Sequence, residues 1–180
     1  MKGNHQQSSV LSALSNEQLV PIASIDEINA DFAGNKKPFI RFLVEDKNFD
    51  GRAIAEILSH KFGYPYIQLA NFDTTLVPEG VRNEKLITKH NALPLFLRGK
   101  VLFVAMSDPT NLDALEEIQF NTGFSTELVL TDEHGLHNCI EKVLEDENDA
   151  LDITDIDSEE LSGLEVQEEK KEDDAGSGED

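Results

Sequence analysis

The stretch Ala105-Met106-Ser107-Asp108-Pro109-Thr110-Asn111-Leu112-Asp113-Ala114-Leu115 decides the fold. It reads as the end of a strand, a tight turn and the capped start of a helix. The strand is the apolar run Val101 to Met106, and Asp108-Pro109 supplies the turn. Thr110 or Asn111 can cap the amides of the new helix, and Gly123 stands where a glycine ends one. A strand running into a helix N-terminus can hold a phosphate, so the same stretch can be read as a site. A phosphate cradle needs glycine for close backbone approach, however, and none lies between Gly99 and Gly123. The stretch therefore specifies an architecture rather than a reaction.

Working outward, Leu93 to Leu97 and Val101 to Met106 flank Arg98-Gly99-Lys100, a hairpin signal. The helix over 111–122 is followed by a strand from Ser125 to Leu130. Asp132 then caps a last helix with Leu136, Ile140, Val143 and Leu144 inward. Upstream, Tyr66 to Leu69 reads as a short strand, and Pro78 opens a helix carrying Val81, Leu86 and Ile87. Residues 64–147 thus predict a small mixed α/β subdomain.

Residues 8–63 read as a helical subdomain. Ser24-Ile25-Asp26-Glu27 has the form of a capping box, and Ile25, Ile28 and Phe32 recur at helical spacing. Pro38 suits a first turn ahead of Phe39, Phe42 and Leu43. Asp50 can cap a helix with Ile54, Ile57, Leu58 and Phe62 inward, stopped by Gly63. The expected class is α+β. A weak repeat at an offset of 29 pairs Leu14 with Leu43, Val20 with Phe49, Ile25 with Ile54, and Ile28 with Ile57. Either a duplication or two chance-matched amphipathic helix pairs accounts for it.

The chain has 180 residues and a formal net charge of −21, unevenly spread. Positions 145–180 hold 17 acidic residues and two lysines, a net of −15, which leaves −6 for positions 1–144. Residues 148–180, acidic with sparse apolar side chains and a Gly-Ser end, read as a disordered linker. Leu151, Ile153, Ile156, Leu161 and Leu164 within it could form a transient helix on a partner, though an idle tether is the simpler reading. No basic stripe exists to neutralise nucleic-acid phosphates, and the negative field disfavours an anionic membrane surface. No apolar run is long enough to span a bilayer, and no signal-peptide core follows Met1 to Gln7. A single cysteine, Cys139, fits a reducing compartment, so a cytoplasmic location is expected.

Catalytic constellations are absent from the sequence. The Gly-Lys pair Gly99-Lys100 has Pro94 where a P-loop needs its first glycine and Val101 where it needs a hydroxyl. Neither a Gly-x-Ser-x-Gly elbow nor a GxGxxG occurs. His134, His137 and Cys139 could ligate zinc, but positions i, i+3 and i+5 of a helix do not converge on one face. The pairs Glu45-Asp46 and Glu116-Glu117 are adjacent in sequence, so on a helix their side chains diverge. The expectation is no catalytic, cofactor-binding or metal residue, and no enzyme activity.

Several separated blocks in order carry a resemblance to a known family. They are Phe62-Gly63-Tyr64-Pro65-Tyr66-Ile67-Gln68-Leu69, Glu84-Lys85-Leu86-Ile87-Thr88-Lys89-His90, Leu93-Pro94-Leu95-Phe96, and Ser107-Asp108-Pro109-Thr110-Asn111 with the helices up to Leu144. Over roughly residues 10–147 the chain resembles the N-terminal domain of the type IV pilus assembly (extension) ATPases, relatives of the type II secretion ATPases. The resemblance implies a regulatory and protein-docking module coupling a hexameric motor to an inner-membrane platform protein, a cytoplasmic ring and a PilZ-domain adaptor. It places the module at the cytoplasmic face of the bacterial inner membrane, in pilus biogenesis and twitching motility. ATP and magnesium are then expected only in ATPase domains beyond this chain. The piece itself is expected to be a monomer, because the ATPase domains build the family's hexamers.

Some related domains bind cyclic di-GMP through a duplicated motif with Arg-Leu-Gly near a helix start and a Gln at its end. Here Pro38, Phe39 and Ile40 stand in place of Arg-Leu-Gly, and His60 or Lys61 in place of Gln. The first copy, around Val10 to Ala33, lacks the arginine, and Gly34 comes too late. The apolar skeleton survives without the ligand-facing polar groups, which argues against cyclic di-GMP as a ligand. For partner docking, Phe39, Arg41, Phe42 and Arg52 are the candidates, because aromatic and arginine side chains are the usual anchors. The competing reading places both phenylalanines in the core.

Overall fold

The computed structural model describes residues 2–145 of the chain. Its sheet has three strands in the order β1 (Ala92–Arg98), β2 (Val101–Met106) and β3 (Ser125–Leu130). β1 and β2 form the expected antiparallel hairpin, with Arg98 opposite Val101 and Gly99 at φ 64° in the two-residue loop. A register shift between Pro94 and Phe96 bulges β1, where a proline cannot donate to a ladder. β2 and β3 run parallel from Val101↔Ser125 to Met106↔Leu130, joined through helix α6 (Leu112–Thr122). Leu102, Val104 and Met106 alternate onto one face and pack with Ala114 and Ile118 of α6 and Leu128 of β3. α6 stops at Gly123, whose φ of 73° is open to glycine at little cost.

The opening turn is closed differently from the sequence expectation. Asp108 Oδ1 accepts from the Thr110 amide (2.9 Å) and hydroxyl (2.6 Å). Asn111 occupies the cap position without a side-chain cap bond, and its amide donates to His90 O at 3.4 Å. Two further expectations are corrected. Tyr66 to Leu69 contributes only a parallel bridge, Tyr66↔Leu130, with Ile67 N donating to Leu130 O and Leu130 N to Pro65 O. The helix at Pro78 is a short 3-10 turn, Glu79–Val81, after which Arg82 adopts ψ 94°. α5 (Glu84–His90) restarts behind an Asn83 cap and ends on Asn91 in the left-handed region, φ 49°.

The N-terminal part is helical: α1 (Lys2–Asn16), α2 (Ile25–Phe32), α3 (Phe39–Glu45) and α4 (Gly51–Phe62). Leu11, Leu14, Ile28, Phe39, Ile40, Phe42, Leu43, Ile54 and Leu58 form one apolar cluster, which Leu130 of β3 joins. Asp50 caps α4 by accepting from Arg52 N at 3.0 Å, and Gly63 ends it at φ 76°. The Ser24 capping box does not form. A 3-10 turn, Ile22–Ser24, runs straight into α2, so Ser24 has helical dihedrals (φ −93°, ψ −4°) rather than the extended cap geometry. Two closures respect the 29-residue offset: Val20 N donates to Leu14 O (3.3 Å) and Phe49 N to Leu43 O (3.1 Å). Helix α7 spans 133–145. Asp132 Oδ1 accepts from Gly135 N at 2.7 Å, and Leu136 and Ile140 are buried. The linker expected over 148–180 lies outside the described residues.

Candidate functional site

The Ser107-Asp108-Pro109 turn forms one wall of a cleft of about 380 Å³. The other walls are Gln6 and Gln7 of α1, Phe32 of α2, the Lys36-Lys37-Pro38-Phe39 entry to α3, and Lys89-His90-Asn91 at the end of α5. Three lysines and a histidine thus line one cleft of an acidic chain. Lys37 reaches Glu45 (3.0 Å) and Asp46 (2.6 Å), which raises the lysine's pKa and lowers that of Asp46. Lys89 (2.7 Å) and His90 (2.5 Å) both meet Glu117, which holds that carboxyl below its ordinary value. Burial pushes the Asp108 carboxyl up, against the two Thr110 hydrogen bonds.

Behind the cleft lies a buried polar cluster centred on Glu133, the first residue of α7 and 2% exposed. Arg41 Nε donates to its Oε1 at 2.8 Å, Asn91 Nδ2 reaches both oxygens at 3.0 Å, and the Ser107 hydroxyl donates to Oε2. Arg41 Nη2 also donates to Asn91 Oδ1 (2.8 Å) and lies 3.3 Å from His137 Nδ1. The N-terminus of α7 adds its own partial positive charge to the donors around the carboxylate. One cluster therefore ties α3 to α7, the α5–β1 junction and the end of β2. Ser107 is 3% exposed, and its hydroxyl is taken up by a carboxylate that Arg41 and Asn91 also hold, so the arrangement ties elements together.

The four candidate docking residues fall in different environments. Phe39 and Phe42 are core, 7% and 3% exposed, and each ring meets Phe32 at centroid distances of 4.9 and 5.1 Å. Arg41 is committed to Glu133. Arg52 is exposed and pairs with Glu56 one turn along α4 at 2.9 Å. The structure does not gather the four on one surface. Sequence reasoning missed Asn91, Ser107 and Glu133. Ser107 lies within the deciding stretch, and an asparagine after Lys89-His90 is a helix-end signal. Nothing local pointed to Glu133.

His134 and His137 turn to Asn138 (3.2 Å) and Glu141 (3.3 Å), and no group of three or more His, Cys, Asp or Glu among the described residues is placed to hold a metal. Cys139 is buried, and burial raises its thiol pKa, which makes it a poor nucleophile. No helix among the described residues is long and apolar enough to cross a membrane.

The chain is similar to known proteins in sequence and in fold. Residues 62–150 match the MshEN domain model. The chain is 36% identical over 161 residues to the type IV pilus assembly ATPase PilB of Pseudomonas aeruginosa, covering 87% of this chain and 28% of that protein. It is 34% identical over 126 residues to PilB of Acinetobacter baylyi, covering 70% of this chain and 21% of that one. The chain therefore spans roughly a quarter of the length of these relatives. In fold it resembles the N-terminal domain of XpsE, with TM-score 0.62, 15% identity, and coverage of 76% of this chain and 94% of that one. It also resembles MshE with cdg, with TM-score 0.57, 21% identity, and coverage of 74% and 97%.

Proposed function

The chain belongs to the MshEN family of N-terminal domains carried by secretion and type IV pilus assembly ATPases, and from that membership we propose that it is the motor's regulatory and protein-docking domain. One observation carries the reading: identity with pilus assembly ATPases runs through 87% of the chain, yet the chain contains no P-loop. Nucleotide hydrolysis, with its ATP and magnesium, belongs to the ATPase domains of the whole motor. The work left to this domain is contact. Its partners are the inner-membrane platform protein, a PilZ-domain adaptor and the motor's own ATPase domain, at the cytoplasmic face of the membrane. Pilus biogenesis and twitching motility are the processes served. Titrating the isotopically labelled chain with the cytoplasmic region of the platform protein and with the adaptor tests this. Saturable amide shifts with either are expected, and none with both would overturn the reading.

A second reading, cyclic di-GMP sensing, is favoured by one observation: Pro38 and Phe39, two of the three residues at the position of the family's ligand motif, line the cleft beside Lys36 and Lys37. MshE was solved with that ligand. Against it, the arginine and glycine of the motif are replaced, and the nearby Arg41 is bound to Glu133. Titration with cyclic di-GMP separates the readings. Saturable shifts over residues 38–61 would make the domain a nucleotide switch, and their absence at millimolar ligand would leave docking alone.

A further inference from the structure

Four large apolar side chains are exposed among the described residues: Ile22, Leu76, Leu112 (49%) and Phe120 (88%). Two of them share α6. Eight residues separate them, roughly 12 Å along the axis and about 80° around it, so they stand on one face. Glu116 lies between them and Asp113 beside them, both exposed, and α6 contains no lysine or arginine. The opposite side of α6 is fixed to the sheet through Ala114 and Ile118, and Glu117 is turned to Lys89 and His90. The face is therefore held on a rigid element, with its acids separate from the pairs that anchor the helix.

We infer that this α6 face is a docking surface for a cationic–apolar segment of a partner protein, an apolar slot that takes Phe120 and is rimmed by lysine or arginine. Aromatic side chains buried at the centre of an interface supply most of its affinity. Rim charges mainly set orientation and association rate. Charge complementarity selects the partner: residues 1–144 carry −6 and the exposed charges of the face are both acidic, so a basic segment is steered in and an acidic one is repelled. A second copy of this chain would set Asp113 and Glu116 against themselves. The inference rests on the docking reading above.

The test uses the 180-residue chain with the platform-protein region and the adaptor. Phe120→Ser removes the anchor, the double change Asp113→Lys/Glu116→Lys reverses the rim, and Ile22→Ser is the control on another exposed apolar residue. All four positions are exposed, so each variant should keep the native amide spectrum. Phe120→Ser is expected to weaken binding at least about tenfold through a faster off-rate. The charge reversal should slow association and flatten its dependence on salt, and Ile22→Ser should bind like the unchanged chain. Unchanged affinity in both α6 variants, while the parent chain binds, would overturn the α6 assignment and leave the docking reading intact. No binding by the parent chain to either protein would overturn both.

Discussion

Glu133 keeps a carboxylate in the interior because Arg41, Asn91 and Ser107 converge on it and a helix N-terminus lies behind it. Removing Glu133 takes away the acceptor that Arg41, Asn91 and Ser107 share in the interior, which costs more than the cluster's net contribution. Glu133→Ala is therefore expected to lower unfolding stability by roughly 3–5 kcal/mol, read from urea denaturation. The double change Arg41→Met/Glu133→Leu should recover much of that loss, and strictly additive single effects would refute the coupling. Asp108 makes the opposite case. Its carboxyl titrates above the unfolded value because of burial, so the folded state is favoured while it is protonated and loses that advantage as pH rises through the raised pKa. Asp108→Asn keeps an oxygen acceptor for Thr110 without the charge. The variant should be at least as stable as the parent at pH 7, with the difference shrinking as pH falls through the raised pKa and gone below about pH 4. Glu117, held below its ordinary value by Lys89 and His90, contributes in the reverse sense: its stability is present at neutral pH and disappears as pH falls through the lowered pKa.

Elements whose signals are local are legible in the sequence. The apolar run Val101 to Met106 and the glycines at 99 and 123 place β2, the hairpin and the end of α6 correctly, because the chain itself carries the run and the stop. Gly123→Ala should lower stability by about 1 kcal/mol through backbone strain at φ 73°, since nothing lies within 4 Å of the added methyl. Gly80→Ala, also in open space but without a positive φ, should be near neutral, and equal losses at both sites would discount the strain argument. Elements set by competition between signals are not legible in the sequence. Pro78 suggests one helix, but Arg82 leaves helical geometry and donates to Val77 O at 2.8 Å, so the helix restarts at Glu84 behind the Asn83 cap. Ser24 had the spacing of a capping box, but the preceding 3-10 turn had already set its dihedrals. The Glu133 cluster was invisible for a different reason: its members at 41, 91, 107 and 133 meet only once the sheet and α3 are in place.

At the scale of the molecule, charge and exposed apolar surface together bear on self-association. Ile22 and Leu76 lie in other segments from the α6 pair, so the described residues offer one acidic-rimmed apolar face rather than a broad dimer surface. Pairing that face with a copy of itself brings Asp113 and Glu116 of two chains together, and the net charge of −21 adds a longer-range repulsion. The chain should therefore sediment as a monomer at micromolar concentration in low salt, where repulsion is least screened. Screening at 0.5 M salt shortens the Debye length to about 4 Å, which weakens the long-range repulsion but leaves charges in contact still opposed. A monomer is expected there too. Dimers that appear only at high salt and vanish with Phe120→Ser would show that the α6 face recognises its own copy once repulsion is screened. A hexamer at either salt would overturn the expectation of a monomer.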